Sequence, residues 1–207
     1  MTARAVLYIK KNNIGFDFAG CLLKRSYDYF KTLKKMNELV CGAFSSVADS
    51  KGCESYRFSF SAEKSELTDN LKNEFITPIE RGDIFLLSEC MSVELGNAES
   101  LCEYSSFLFD DCFGFSETLK KCLINRGEIL NRIGSPKNSD KLIKPCTEEI
   151  LTCNRLIVSI TKRIKNVVLR NESHALIKYA VYTAYLDLTK SVSNTFSEME
   201  RIIIDNS

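Results

Sequence analysis

The stretch "NEFITPIERGDIFLLS", residues 73–88, decides how this chain is read. An apolar run is cut by Thr-Pro and followed at once by Glu-Arg-Gly-Asp. Thr77 is a candidate N-cap, its hydroxyl accepting a backbone N–H one turn in. Pro78 would then take the first helical position, where its missing N–H costs nothing. Glu80 falls at the third position and can reach back, so T-P-I-E reads as a capping box. Asp83 would favour the positive end of the helix dipole. One helix is therefore expected to end near Phe75 and another to begin at Pro78.

Working outward, the pattern stays helical. Residues 14–48 place Phe16, Ala19, Leu23, Tyr27, Phe30, Leu33, Val40, Phe44 and Val47 at helical spacing. After the break "ADSKGCES" a second helix is expected from about Glu54 to Phe75. The third carries Ile84, Leu87, Met91, Leu95, Ala98 and Leu101 on one stripe. "FDDCFGFSE" around Gly114 predicts a turn, then a helix to about Ile133. "GSPKNSD", 134–140, is the clearest linker. Helix five, about 141–169, repeats Ile150, Cys153, Ile157, Ile160, Ile164 and Val167. Its Pro145 is compatible only with a first turn, which moves the expected start toward Lys144. "RNES" ends it, and the last helix, about 174–204, repeats Ile177, Val181, Ala184, Leu188, Val192, Phe196, Met199 and Ile203. Stripes of this width must pack on one another, which predicts an all-α antiparallel bundle. The expected organisation is one domain over 1–207, with helical repeats at about 14–113 and 115–205.

Composition narrows the function classes. Only nine Gly and three Pro in 207 residues argue against an all-β fold. Residues 1–114 carry 13 basic and 17 acidic residues, net −4, and residues 115–207 carry 15 and 10, net +5. Neither value concentrates enough charge for nucleic acid. No run is long enough to span a membrane, and the start is too short in apolar residues for a secretory signal, so a cytoplasmic chain is expected. The nine cysteines (Cys21, Cys41, Cys53, Cys90, Cys102, Cys112, Cys122, Cys146, Cys153) include no C-x-x-C and are odd in number. They read as reduced, buried small hydrophobes and not as a zinc site or disulfide framework. There is no Gly-rich phosphate loop, and the single histidine, His174, has the sequence context of a turn or cap. No catalytic residue is assigned, because no second base accompanies any Ser or Cys.

"EFITPIERGDI" resembles the F-I-T-P-[IL]-D-R-E-D-I junction of PhoU-like proteins, with Phe75, Ile76, Thr77, Pro78, Arg81 and Asp83 as the matching residues. The resemblance is to the branch described as phosphate-transport regulators and associated with Pit-type transporters. "KPCTEEI" is similar to the start of the family's fifth helix, and "RNESHALIKYAVYTAYLDLTKSVSNTFSEMERIIIDN" to its ending. The resemblance implies two packed three-helix bundles. It also implies a non-enzymatic regulator that docks on a Pit-type phosphate transporter or a related signalling protein, peripheral at the inner face of the membrane. Homodimers belong to the same expectation.

In the family, inward carboxylates at E-x-x-x-D spacing hold iron or zinc, since residues four apart share a helix face. This sequence departs from that pattern. The corresponding positions fall on Arg57 and Ser61, on Ser92, Val93 and Gly96, on Asn154 and Val158, and on Asp187 and Ser191. Asp187 alone keeps a carboxylate, so the expectation is a degenerate metal site with no cofactor. Iron or zinc re-enters only if the register is wrong, when Glu63, Glu66 and Asp69 become the acids to consider. Arg155, Lys162, Arg163 and Arg170 form a basic stripe suited to an acidic partner or a membrane surface. The alternatives to a transport regulator are a helical adaptor with an unrelated soluble partner, or a metal-binding bundle with rebuilt ligands.

Overall fold

The computed structural model describes residues 27–49, 53–74, 77–108, 110–133, 140–170 and 174–206. These form six α-helices: α1 Tyr29–Asp49, α2 Glu54–Asn73, α3 Arg81–Cys102, α4 Asp110–Ile133, α5 Asp140–Arg170 and α6 Ala175–Asp205. A short 3-10 turn, Ser105–Phe107, lies between α3 and α4, and no strand occurs among the described residues. The expected helical residues 14–26, the junction residues Phe75 and Ile76, and most of the linkers at 50–52, 134–139 and 171–173 lie outside the described residues.

The apolar stripes become the core. Leu33, Val40, Phe44 and Val47 of α1 are buried, as are Ile84, Leu87, Met91, Leu95, Ala98 and Leu101 of α3. Val181, Leu188, Val192, Phe196, Met199 and Ile203 do the same for α6. All six helices contribute to one contiguous buried cluster. Each fully buried Leu, Ile or Phe contributes about 1.5–3 kcal/mol, which is what holds individually marginal helices together.

Side-chain pairings fix the directions. Lys64 of α2 reaches Ser92 and Glu89 of α3, while Arg57 approaches Glu99. Asn97 of α3 meets Ser191 of α6, and Asp83 meets Arg201. Asn125 of α4 meets Glu149 of α5. Thr147 near the start of α5 bonds Glu200 near the end of α6. From one pair to the next the numbers run in opposite senses for α2 with α3 and for α3 with α6, Cys122 with Cys153 does the same for α4 with α5, and the start of α5 meets the end of α6, so these neighbours are antiparallel. The longest seam joins α5 to α6; α1 packs on α4, α3 packs on α6, and α1 and α3 pack on each other.

Three local expectations are corrected. α3 begins at Arg81, not Pro78: Glu80 is the N-cap residue, extended at φ −57° and ψ 137°, and it makes no side-chain cap bond. The Thr77 hydroxyl donates to the Ile79 carbonyl, 2.6 Å away, so no capping box forms. Thr77-Pro78-Ile79 is a turn that precedes the helix by one step. Gly114 is not a turn but lies inside α4; the interruption falls earlier, at the 3-10 segment. Pro145 is the sixth residue of α5, beyond the first turn. The buried Leu142 and Cys146 on either side hold that turn in the core despite the lost backbone bond.

Candidate functional site

The junction that opens the sequence reading is a structural knot. Glu74, at the end of α2, accepts the Tyr27 N–H at 2.7 Å and the Tyr29 hydroxyl at 2.8 Å. The Arg81 guanidinium donates to the Glu74 carbonyl. The Tyr29 phenol is held above its ordinary range, first by burial and then by its bond to Glu74. Thus α2, the start of α1 and the start of α3 are tied at one point. Asp83 sits in the first turn of α3, as its dipole role requires, and bonds Arg201 at 2.7 Å. Arg201 also bonds Glu198 and Asp205, which closes the C-terminal end of α6 against α3.

The interior holds a charged cluster that sequence reading did not anticipate. Arg126 of α4 and Glu94 of α3 are both fully buried and meet through two bonds, one from each terminal guanidinium nitrogen. Arg126 Nε donates to Asn37 Oδ1 at 2.6 Å, and Asn37 Nδ2 donates to the Leu123 carbonyl at 2.9 Å. Thr195 of α6 donates to Glu94 Oε1. Burying a carboxylate is tolerable only where a cation and further donors replace water, and here both are supplied. Gly127 belongs to the same arrangement, since a Cβ there would meet Asn37 Nδ2 at 3.1 Å. The missed signal was Glu94 itself, which falls on the buried stripe between Met91 and Ala98.

This donor set does not fit a divalent cation. Glu94 already spends its charge on a covalently anchored guanidinium. Arg57, Val93, Gly96, Asn154 and Val158 are exposed, and Arg57, Val93, Gly96 and Val158 offer no ligand for a hard ion. Ser61 is exposed, Ser92 accepts from Lys64, and Ser191 accepts from Asn97. Asp187 is exposed and lies 3.9 Å from Lys190. Glu63 is half-buried and pairs with Lys35 of α1, while Glu66 and Asp69 are exposed on α2, with Asp69 beside Lys72, so these acids do not gather into one ligand set. No cluster of three or more His, Cys, Asp or Glu suited to a metal occurs among the described residues.

Two cysteines depart from the reduced-thiol expectation: Cys53 and Cys102 are joined by a disulfide that links the start of α2 to the end of α3. Forty-nine residues separate them, so no local spacing announces the pair. Cys41, Cys90, Cys122, Cys146 and Cys153 are free thiols. Burial pushes Cys146 up to about 12. The Cys122 thiol is raised first by its hydrogen bond with Cys153 and then by burial. His174 takes the left-handed conformation at φ 60° and precedes α6, its carbonyl accepting the Lys178 N–H; its role is that of a turn.

Two surface features remain. A cleft of about 300 Å³ lies between α1, α4 and α6, with Phe44, Val47, Leu108 and Phe113 as apolar walls and Lys120 at its edge. Inside it, the Tyr185 hydroxyl and Ser116 Oγ are 2.6 Å apart, and burial pushes the phenol up to about 12. The second feature is the outer face of α5. Arg155, Lys162, Arg163 and Arg170 are all exposed there, with Leu151 and Val158 exposed among them. Stripe and junction lie on different elements and are not brought together.

No family model matches the chain, and no curated protein matches it. No helix among the described residues is long and apolar enough to cross a membrane.

Proposed function

We propose that this chain is a non-enzymatic, PhoU-like regulator of phosphate transport that acts by docking on a Pit-type transporter or its signalling partner. The observation that carries the docking part is the outer face of α5. Its inward face packs on α4 and α6, while Arg155, Lys162, Arg163 and Arg170 stand exposed with Leu151 and Val158 between them. Basic and apolar side chains on one exposed helix face suit an acidic, partly apolar partner surface. The link to phosphate transport comes from the junction residues Thr77, Pro78, Arg81 and Asp83 and from the order of six helices with a break after the third. The two-bundle arrangement of that family, and the placement at the inner membrane face, are parts of the same reading.

Regulation by docking requires different affinities for two transporter conformations and no chemistry in the regulator. No metal enters the reading, since the buried carboxylate is neutralised by Arg126. Near-stoichiometric iron or zinc in the purified protein would overturn that part.

The test is affinity capture of the tagged protein from detergent-solubilised membranes of its own organism. The proposal expects a phosphate transporter to be recovered with wild type and lost when Arg155, Lys162, Arg163 and Arg170 are changed together to Glu. Recovery of soluble proteins alone would overturn the transporter link.

A further inference from the structure

The cleft between α1, α4 and α6 has no part in the docking reading, and its lining is chemically selective. It encloses about 300 Å³. An apolar cavity of about half that size takes one benzene ring, so this one has room for about two fused rings. Phe44, Val47, Leu108 and Phe113 supply the apolar walls. The rings of Phe44 and Tyr185 stand perpendicular, with centroids 6.5 Å apart. Such a corner offers a flat aromatic guest one face and one edge to pack on. Phe113 is 72% exposed, and a guest in the cleft would cover part of that ring.

The polar groups of the cleft leave one donor unused. A hydroxyl carries one proton and two lone pairs. The Tyr185 hydroxyl and Ser116 Oγ, 2.6 Å apart, share one proton between them, and neither has another hydrogen-bond partner among the described residues. Tyr185 is fully buried and Ser116 half-buried, so the serine is the member that a guest can reach. With Tyr185 donating to Ser116, the serine proton is left for an acceptor in the cleft. Ser45, also on the lining, is engaged by the Cys41 thiol.

Charge does not select the guest. Glu117 and Lys120 lie three residues apart on the exposed side of α4, with opposite signs, so the rim favours neither an anion nor a cation. Aromatic walls, one donor without an acceptor and a rim of no net charge suit a neutral aromatic molecule with one strong acceptor. A carbonyl oxygen is such an acceptor.

We propose that this cleft binds a neutral bicyclic aromatic carbonyl compound, with its rings against Phe44 and Phe113 and its carbonyl oxygen accepting from Ser116. The inference goes beyond the transporter reading and does not rest on it.

The probe is Prodan, a neutral naphthyl ketone whose emission reports polarity and hydrogen bonding at its carbonyl. Titrating the full-length protein into it should give a saturable blue shift for one site, with a Kd on the order of 100 μM or tighter. Phe113→Ala should weaken that Kd by about threefold or more. Phe58→Ala removes another exposed ring, on α2 and outside the cleft, and should leave the Kd unchanged. Two competitors of matching shape then isolate the hydrogen bond: acetylnaphthalene, and isopropenylnaphthalene, in which a methylene replaces the carbonyl oxygen. The preference for the ketone over its hydrocarbon counterpart should fall by about three- to tenfold when Tyr185→Phe is combined with Ser116→Ala, which removes both hydroxyls and leaves no orphan. Absence of a saturable shift, an unchanged Kd for Phe113→Ala, an equal weakening by Phe58→Ala, or an unchanged preference in the double variant would overturn the proposal. These readouts use the purified protein without a transporter, so their failure leaves the affinity capture to stand or fall separately.

Discussion

Arg126 and Glu94 face each other as a fully buried bidentate ion pair that joins α4 to α3, and Asn37 and Thr195 extend the contact to α1 and α6. Four helices therefore share one satisfied charged centre.

Removing one member leaves the other charge buried without a partner. Arg126→Met is expected to cost about 3–5 kcal/mol, and Glu94→Leu a similar amount. Replacing both removes the orphan, so the double variant should recover at least half of the loss. Urea unfolding of the three variants checks this, and additive losses would contradict it.

The glycines divide by what surrounds them. A Cβ on Gly42 would come within 2.5 Å of the Tyr56 ring, so Gly42→Ala should destabilise by about 1–3 kcal/mol. Gly114 has open space around it inside α4, and Gly114→Ala should stabilise by about 0.5–1 kcal/mol through helix propensity. Opposite shifts in melting temperature are the expected result.

Tyr185 links stability to alkaline pH. Its phenol is pushed from 10.0 up to about 12, chiefly by burial, so folding favours the protonated form. A group raised in this way contributes fully below pH 10 and loses that contribution as pH rises toward 12. Tyr185→Phe should flatten part of the stability loss across that window, leaving the part due to the other raised groups, Cys146, Cys122 and Tyr29 among them. Denaturant midpoints measured from pH 8 to 12 would show it.

The Cys53–Cys102 bridge closes a loop with a sequence separation of 49. In the chain-entropy account this loop corresponds to about 4 kcal/mol, an upper figure. Cys53→Ser should lower the melting temperature, and a reductant should lower that of wild type but not of the variant. A non-reducing peptide map should recover the two cysteines in one linked fragment.

The helices were legible because their apolar stripes run at a fixed spacing: Ile84, Leu87, Met91, Leu95, Ala98 and Leu101 need only a period to be recognised, and all are buried. What failed locally failed for competing reasons. Thr77 has the composition of a cap, but its hydroxyl finds the Ile79 carbonyl first. Gly114 and Pro145 look like breaks, yet packing on either side carries the helices through them. The buried pair was hidden because Arg126 and Glu94 are 32 residues apart, and a charge on a core position acquires meaning only when its partner is placed. The exposed stripe on α5 was legible as charge, because Arg155, Lys162, Arg163 and Arg170 recur at helical spacing.

The most direct test of the regulatory reading is phosphate uptake itself. Initial uptake of radiolabelled phosphate would be compared in cells of the source organism carrying wild type, lacking the protein, or carrying the four-site change of Arg155, Lys162, Arg163 and Arg170 to Glu. The account predicts that removing the protein changes the uptake rate and that the four-site variant, folded and present at wild-type level, behaves as the deletion. An uptake rate unchanged by the deletion would contradict it.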